Sequence, residues 1–271
     1  MEEQEARQRV RATFDAVSDA YDCQPLRFFQ RAAECLPGIF DFNGNESVLD
    51  AAAGTGIPAL VMAPHLPRGS VTAVDLSEGM LAQAETKCRA ADIDNIGFRP
   101  MDMTAMDFDD GAFDAANCSF GVFFVEDMAG TLRHIASKVK PGGSVVTTHF
   151  REGSFGQLTE LLGNRIEAYG LPKPPPGWQR VATEAQNLAL FEAAGLKGVE
   201  VSRHDLGYFL EDAQQWWEVV WNAGYRGLIS SLDDQQLAQF KREHLEEVAG
   251  LAGPEGIRLD IEVLITKGTR P

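Results

Sequence analysis

Between residues 47 and 150, short apolar runs alternate with stretches of helical period, and this alternation leaves the chain few architectures. The apolar runs cover 47–52, 70–75, 95–100, 112–118 and 144–150, with helical periodicity over 57–65, 78–91 and 126–138. Strands separated by a helix pair in parallel, and a parallel sheet needs helices on both faces. The pattern therefore predicts a doubly wound α/β sheet. Ser77 stands where the helix over 78–91 needs an N-cap, and Met80, Leu81, Ala84, Cys88 and Ala91 recur at the spacing of a buried stripe.

Outside that core the pattern changes. Residues 3–20 read as a helix with Val10, Phe14 and Val17 on one face, and a second helix is expected over 25–36. After residue 150 come a helix over 155–169, an extended proline-rich loop over 171–178 and a helix over 183–194. A strand follows over 198–206, then helices over 212–224 and 233–250. The last strand is expected over 257–267, where clean apolar alternation suits antiparallel pairing. The expected fold is a seven-stranded, mostly parallel sheet with an antiparallel last strand and a helical cap. Residues 1–36 form an N-terminal lid; 37–150 form the core, completed by 181–210 and 254–271. Residues 151–180 and 211–253, rich in aromatics such as Trp178, Trp216, Trp217 and Tyr225, form a cap expected to hold a small-molecule pocket.

Composition narrows the partners. A formal net charge of −16 argues against nucleic acid and against anionic membrane, because both call for a cationic surface. Cys23, Cys35, Cys88 and Cys118 form no C-x-x-C pair and no ligand-like spacing with histidine, so no metal is expected. With no signal-peptide pattern and no run of about twenty apolar residues, the cytoplasm is the expected compartment, with the chain a monomer or homodimer.

Chemistry concentrates at the carboxyl ends of the strands. In Val48-Leu49-Asp50-Ala51-Ala52-Ala53-Gly54-Thr55-Gly56 an apolar strand ends in an acid and a small-residue turn that opens a helix. Such a turn lets backbone approach a ligand and aims unpaired N–H groups at it. Asp75 ends the second strand, where an acid can accept both hydroxyls of a ribose. Asp102 follows the third strand, placed to read an adenine edge, and Asn117-Cys118-Ser119 ends the fourth. Open α/β sheets bind ligands at these strand ends.

Together with Met101-Asp102-Met103, Phe113-Asp114 and Val139-Lys140-Pro141-Gly142-Gly143, these segments resemble the class I S-adenosylmethionine-dependent methyltransferases, most closely the quinone and small-molecule subgroup. The resemblance covers about 46–150 well and the rest in outline. It implies S-adenosylmethionine as cofactor and a small, largely apolar or aromatic organic acceptor. Gly54 and Gly56 would border the methionine moiety, Asp50 would order the turn on the ammonium side, and Tyr21 would face the same end. Asp75 would hold the ribose, Leu76 and Met80 would pack near the base, and Asp102 with Met103 would hold the adenine. Asn117 and Cys118 would complete the cofactor wall. Ala52 departs from the family's glycine, a change of little cost unless the position needs positive φ.

Two residues are candidates for a proton-accepting role: His149, at the end of the fifth strand, and Tyr208. Two other functions fit the same turn and acids. One is a non-catalytic regulatory protein that binds the cofactor. The other is a nicotinamide-dependent oxidoreductase, in which the third glycine of G-x-G-x-x-G would fall at Ala59.

Overall fold

The computed structural model describes residues 2–172 and 177–271, so residues 173–176 of the expected proline-rich loop lie outside the described residues. The strands are β1 (Ser47–Ala51), β2 (Ser70–Asp75), β3 (Ile96–Pro100), β4 (Phe113–Ser119), β5 (Val139–Phe150), β6 (Lys197–Asp205), β7 (Tyr208–Leu210), β8 (Ile257–Leu259) and β9 (Glu262–Thr269). Seven of them form one sheet in the order β3-β2-β1-β4-β5-β9-β6, while β7 and β8 pair apart from it. The first five run parallel, and β9 is antiparallel to both β5 and β6. This is the doubly wound sheet read from the alternation.

The N-terminal segment carries α1 (Glu2–Val17), α2 (Phe28–Ala33) and α3 (Leu36–Phe40). The single helix expected over 25–36 is divided: Gln24–Leu26 forms a short 3-10 turn, α2 starts at Phe28, and Pro37 opens α3, which a residue without an N–H does readily. The core helices are α4 (Ile57–Met62), α5 (Glu78–Ala90) and α6 (Met128–Ser137). Ser77 caps α5 as expected, accepting from the Met80 N–H at 3.1 Å. After β5 come α7 (Gly156–Ala168), α8 (Glu184–Ala193), α9 (Ala213–Trp221), α10 (Arg226–Ile229) and α11 (Asp234–Ala249).

The last strand also divides. The Phe155 N–H donates to Asp260 O and the Leu206 N–H to Ile261 O, which turns this backbone away from a continuous ladder. Ile257–Leu259 then pairs with β7, not with the main sheet.

Alternation along the strands buries both sheet faces. Val48, Val71, Ala115 and Val146 pack with α2, α4 and the cap; Leu49, Val74, Ala116 and Val145 pack with α6 and α8. The cap aromatics are spent on their own core. Trp216 is fully buried and donates through Nε1 to His244 Nε2 at 2.9 Å, while Trp217 and Phe240 close around it. Each such ring removes about 150–250 Å² from water, about 4–6 kcal/mol at the upper bound, so these rings stay packed. Among the described residues, no helix is long and apolar enough to cross a membrane.

Candidate functional site

β1 lies between β2 and β4: the chain winds from β1 through β2 to β3, then β4 returns to the other side of β1. Such a reversal opens a crevice beyond the strand ends. At its floor Asp50 stands opposite Asn117 in register, and Asn117 Nδ2 donates to Asp50 Oδ1 at 2.7 Å. Ser119 Oγ donates to Asn117 Oδ1 at 3.1 Å. Burial drives the Asp50 carboxyl up to about 7 against the opposing pull of the Asn117 bond.

Above this floor is a cavity walled by the turn Ala52–Thr55, by Ser119–Gly121 after β4, and by Ile57 and Pro58 of α4. Phe29 and Ala33 of α2 close one side, with Phe124 and Val125 at the mouth. Gly54 (φ +55°) lies on the wall, and a Cβ there would meet no protein atom within 4 Å, so the backbone faces open space. Two side-chain-bearing residues on the same wall are left-handed: Ala52 (φ 57°) and Phe120 (φ 55°). Their strain sits where a ligand would touch backbone. The departure at Ala52 is therefore not free, since the position does require positive φ. Ala52→Gly is expected to raise unfolding stability by about 1 kcal/mol, read as a higher Tm. A lower Tm would show that the Ala52 methyl packs well enough to outweigh the strain.

Asp75, Leu76, Met80, Met101, Asp102 and Met103 also line the cavity. Asp75 Oδ2 accepts from the Gly54 N–H and Oδ1 from the Ser77 N–H, both at 2.8 Å. One carboxylate thus ties the β1 turn to the start of α5. Burial raises its pKa, and these backbone bonds oppose the rise. Apolar walls with two carboxylates suit a flat base with a sugar attached.

Helix α1 contributes two stripes of helical spacing. Arg7, Val10 and Phe14, continued by Tyr21, line the cavity. The flanking stripe docks on α5: Arg11 pairs with Glu78 at 2.9 Å, Asp15 accepts from Ser77 Oγ at 2.5 Å, and Asp19 accepts from Gln83 at 2.6 Å. Asp22 accepts from Thr55 Oγ1 at 2.6 Å and pairs with Lys87 at 2.5 Å. Tyr21 stacks on Phe29 at 5.1 Å, and burial beside Asp22 and Asp75 drives its phenol well above the usual range, so it stays a donor.

Of the residues expected from sequence, Tyr21, Ala52, Gly54, Asp75, Leu76, Met80, Asp102 and Met103 meet on this cavity. Asp50, Gly56, Asn117 and Cys118 do not line it. Asp50 and Asn117 form the polar floor below the turn. Gly56 faces α5, where a Cβ would fall 2.7 Å from Ala84 Cβ. Cys118 is buried on the far face of β4, its thiol pushed up to about 12 by burial. The cap was expected to form the pocket, yet no lining residue comes from 151–172 or 177–253.

His149 and Tyr208 are also off the cavity. Tyr208 sits on β7, donates to Pro25 O at 2.6 Å under the Arg27 guanidinium, and is pushed up to about 12 by burial. His149 is fully buried behind Phe123, and neither ring nitrogen has a hydrogen-bond partner among the described residues. Burial lowers its pKa to about 3. Neither placement suits a group that takes a proton from a ligand.

These buried groups set a pH dependence. The unfolded chain takes up a proton at His149 near pH 6.5, whereas the folded ring refuses it until about 3. Stability held above pH 6.5 is therefore lost as the pH falls between those values. Asp50 runs the other way: its contribution is complete below about 3.9 and is lost as the pH rises through about 7. On going from pH 7 to 5, the urea midpoint of His149→Leu is expected to fall less, or rise more, than the parent's, and that of Asp50→Asn to fall more, or rise less. A change in His149→Leu equal to the parent's would contradict this assignment.

Arg7, Thr55, Met101, Phe120 and Phe124 line the cavity without having been singled out as site residues. The spacing of Arg7 to Val10 and Phe14 was a readable signal. The left-handed turn at Phe120 carries none.

Comparison with known proteins follows the same lines. A family model described as a methyltransferase domain matches residues 48–143. A demethylmenaquinone methyltransferase of Renibacterium salmoninarum is 34% identical over 172 residues, covering 59% of this chain and 68% of that one. The ubiquinone/menaquinone biosynthesis C-methyltransferase UbiE of Bdellovibrio bacteriovorus is 33% identical over 131 residues, 47% of this chain. The chain spans little more than half the length of that relative, 54%. Among solved structures, the YcgJ protein of Bacillus subtilis superposes with a TM-score of 0.60 at 17% identity, covering 89% of this chain and 98% of that one, a likeness of fold.

Proposed function

This chain belongs to the class I S-adenosylmethionine-dependent methyltransferases, and on that premise we propose that it methylates a small, largely apolar or aromatic organic acceptor. The observation that carries the reading is the cavity at the sheet's switch point, lined by two carboxylates, Asp75 and Asp102, and by aromatic rings. When bound, S-adenosylmethionine supplies an electrophilic methyl on a sulfonium with a neutral leaving group.

Asp75 is assigned to the ribose hydroxyls, Asp102 to the adenine amino group, and Leu76, Met80 and Met103 to the faces of the base. Tyr21 and the Gly54 turn are assigned to the methionine end. The protein's main task is then alignment and exclusion of water, and orientation alone can supply about 7–11 kcal/mol. Phe14, Phe29, Phe120 and Phe124 enclose the acceptor. Among the described residues on the wall, the ionisable groups are Arg7, Tyr21, Asp75 and Asp102, each with a partner or a binding role. The acceptor therefore brings its own nucleophile, and no base is assigned to His149 or Tyr208.

The two relatives named above point to demethylmenaquinone as the first acceptor to try. Family membership leaves the nicotinamide reading without support. Titration with S-adenosylmethionine, then mass analysis of products from demethylmenaquinone and a panel of apolar phenols and enols, tests the proposal. Saturable binding with methylated product is the expected result. Binding without turnover on the whole panel would favour a regulatory binder, and no binding would end the reading.

A further inference from the structure

Asp102 is held from two sides. Its Oδ1 accepts from both the Thr104 N–H at 2.8 Å and Thr104 Oγ1 at 2.7 Å, which uses both lone pairs of that oxygen. Its Oδ2 accepts from Arg7 Nη1 at 2.9 Å, which leaves one lone pair. Arg7 comes from the lid helix, 95 residues away in sequence, and lines both the cavity and a second pocket that shares Phe124 and Val125. The pair is partly exposed, with 38% of the Arg7 side chain and 23% of the Asp102 side chain reaching solvent. Ion pairs this open add little to stability, so folding alone gives little reason for one here.

We propose that Arg7 is a positioning residue that joins the adenine seat to the α1 lid: it leaves Asp102 one acceptor site, aimed into the cavity, and balances the carboxylate's charge when a base covers it. This rests on the assignment of Asp102 to the adenine amino group. An amino group fills the remaining lone pair of Oδ2. A hypoxanthine, with oxygen at that place, meets the same lone pair with another lone pair. Without Arg7, Oδ2 has two lone pairs open to water, and closing a base over the carboxylate strands an unpaired charge. Arg7 therefore acts on the affinity for a base that covers Asp102. Because α1 carries both Arg7 and the Val10–Phe14 wall, the same contact slows departure of the ligand.

The test is calorimetric titration with S-adenosylhomocysteine and S-inosylhomocysteine on the full chain, its Arg7→Met, Arg7→Lys and Asp102→Asn variants, and the Arg7→Met/Asp102→Asn double variant. Melting of each ligand-free variant checks the fold. Arg7→Met is expected to weaken the adenosine form about fivefold to twentyfold. Arg7→Lys should recover most of the loss, and the double variant should lose no more than Asp102→Asn alone. Affinity of the parent for the adenosine form should also fall more steeply with salt than that of Arg7→Met. Parental affinity for the adenosine form in Arg7→Met, or a double variant that loses more than Asp102→Asn alone, overturns the role of Arg7, even with the parent binding and discriminating normally. A parent that binds both forms equally overturns the Asp102 assignment itself, and one that binds neither overturns the cofactor reading.

Discussion

Alanine at Asp75 is expected to weaken binding of S-adenosylhomocysteine by about hundredfold or more, some 3 kcal/mol. Two losses combine. The assigned ribose hydroxyls lose a charged acceptor, worth about 1.5–3 kcal/mol in a closed site. The Gly54 and Ser77 N–H groups lose theirs as well, so the β1 turn and the start of α5 come apart where they meet. Asp75→Asn separates these effects, because the amide keeps one acceptor oxygen for one backbone N–H. Its affinity is expected between parent and alanine variant. Calorimetric titration reads both, and parental affinity in Asp75→Ala would remove this residue from the site.

Deleting residues 1–24 is expected to lower methyl transfer by at least about hundredfold while leaving a folded core. The deletion removes Arg7, Val10, Phe14 and Tyr21 from the wall, so water reaches the place where acceptor and methyl must be aligned. The cost in folding is modest. Between residues 4 and 24 the buried apolar side chain is Val17, worth about 1.5–3 kcal/mol, with Val10, Phe14 and Tyr21 partly buried. Ser77 and Thr55 lose their Asp15 and Asp22 partners, while Glu78, Gln83 and Lys87 on α5 are polar and tolerate exposure. Circular dichroism and a cooperative melt verify the core, and a truncated chain with parental turnover would show that α1 is no lid.

The sheet was legible because its signal is local. Short apolar runs and period-3.6 stripes alternating between 47 and 150 call for parallel strands joined by helices, and Asp50 and Asp75 fall at strand ends whatever surrounds them. The same locality made Ser77 readable as a cap.

Tertiary structure decided the rest, because it chooses between equal local options. Asp50 and Asp75 are both strand-end acids, yet register sets Asp50 against Asn117 beneath the turn and leaves Asp75 on the wall. His149 and Phe150 are neighbours on β5, and which one faces the aromatic cluster around Phe28 depends on a pleat phase that a single histidine does not announce. Trp216 and Trp217 of the cap could have lined a pocket or filled a core; packing α7, α9 and α11 together sealed them from water. Arg7 meets Asp102 only because Arg11, Asp15 and Asp22 seat α1 on α5 and the β1 turn, contacts between segments more than 30 residues apart that composition and periodicity do not encode.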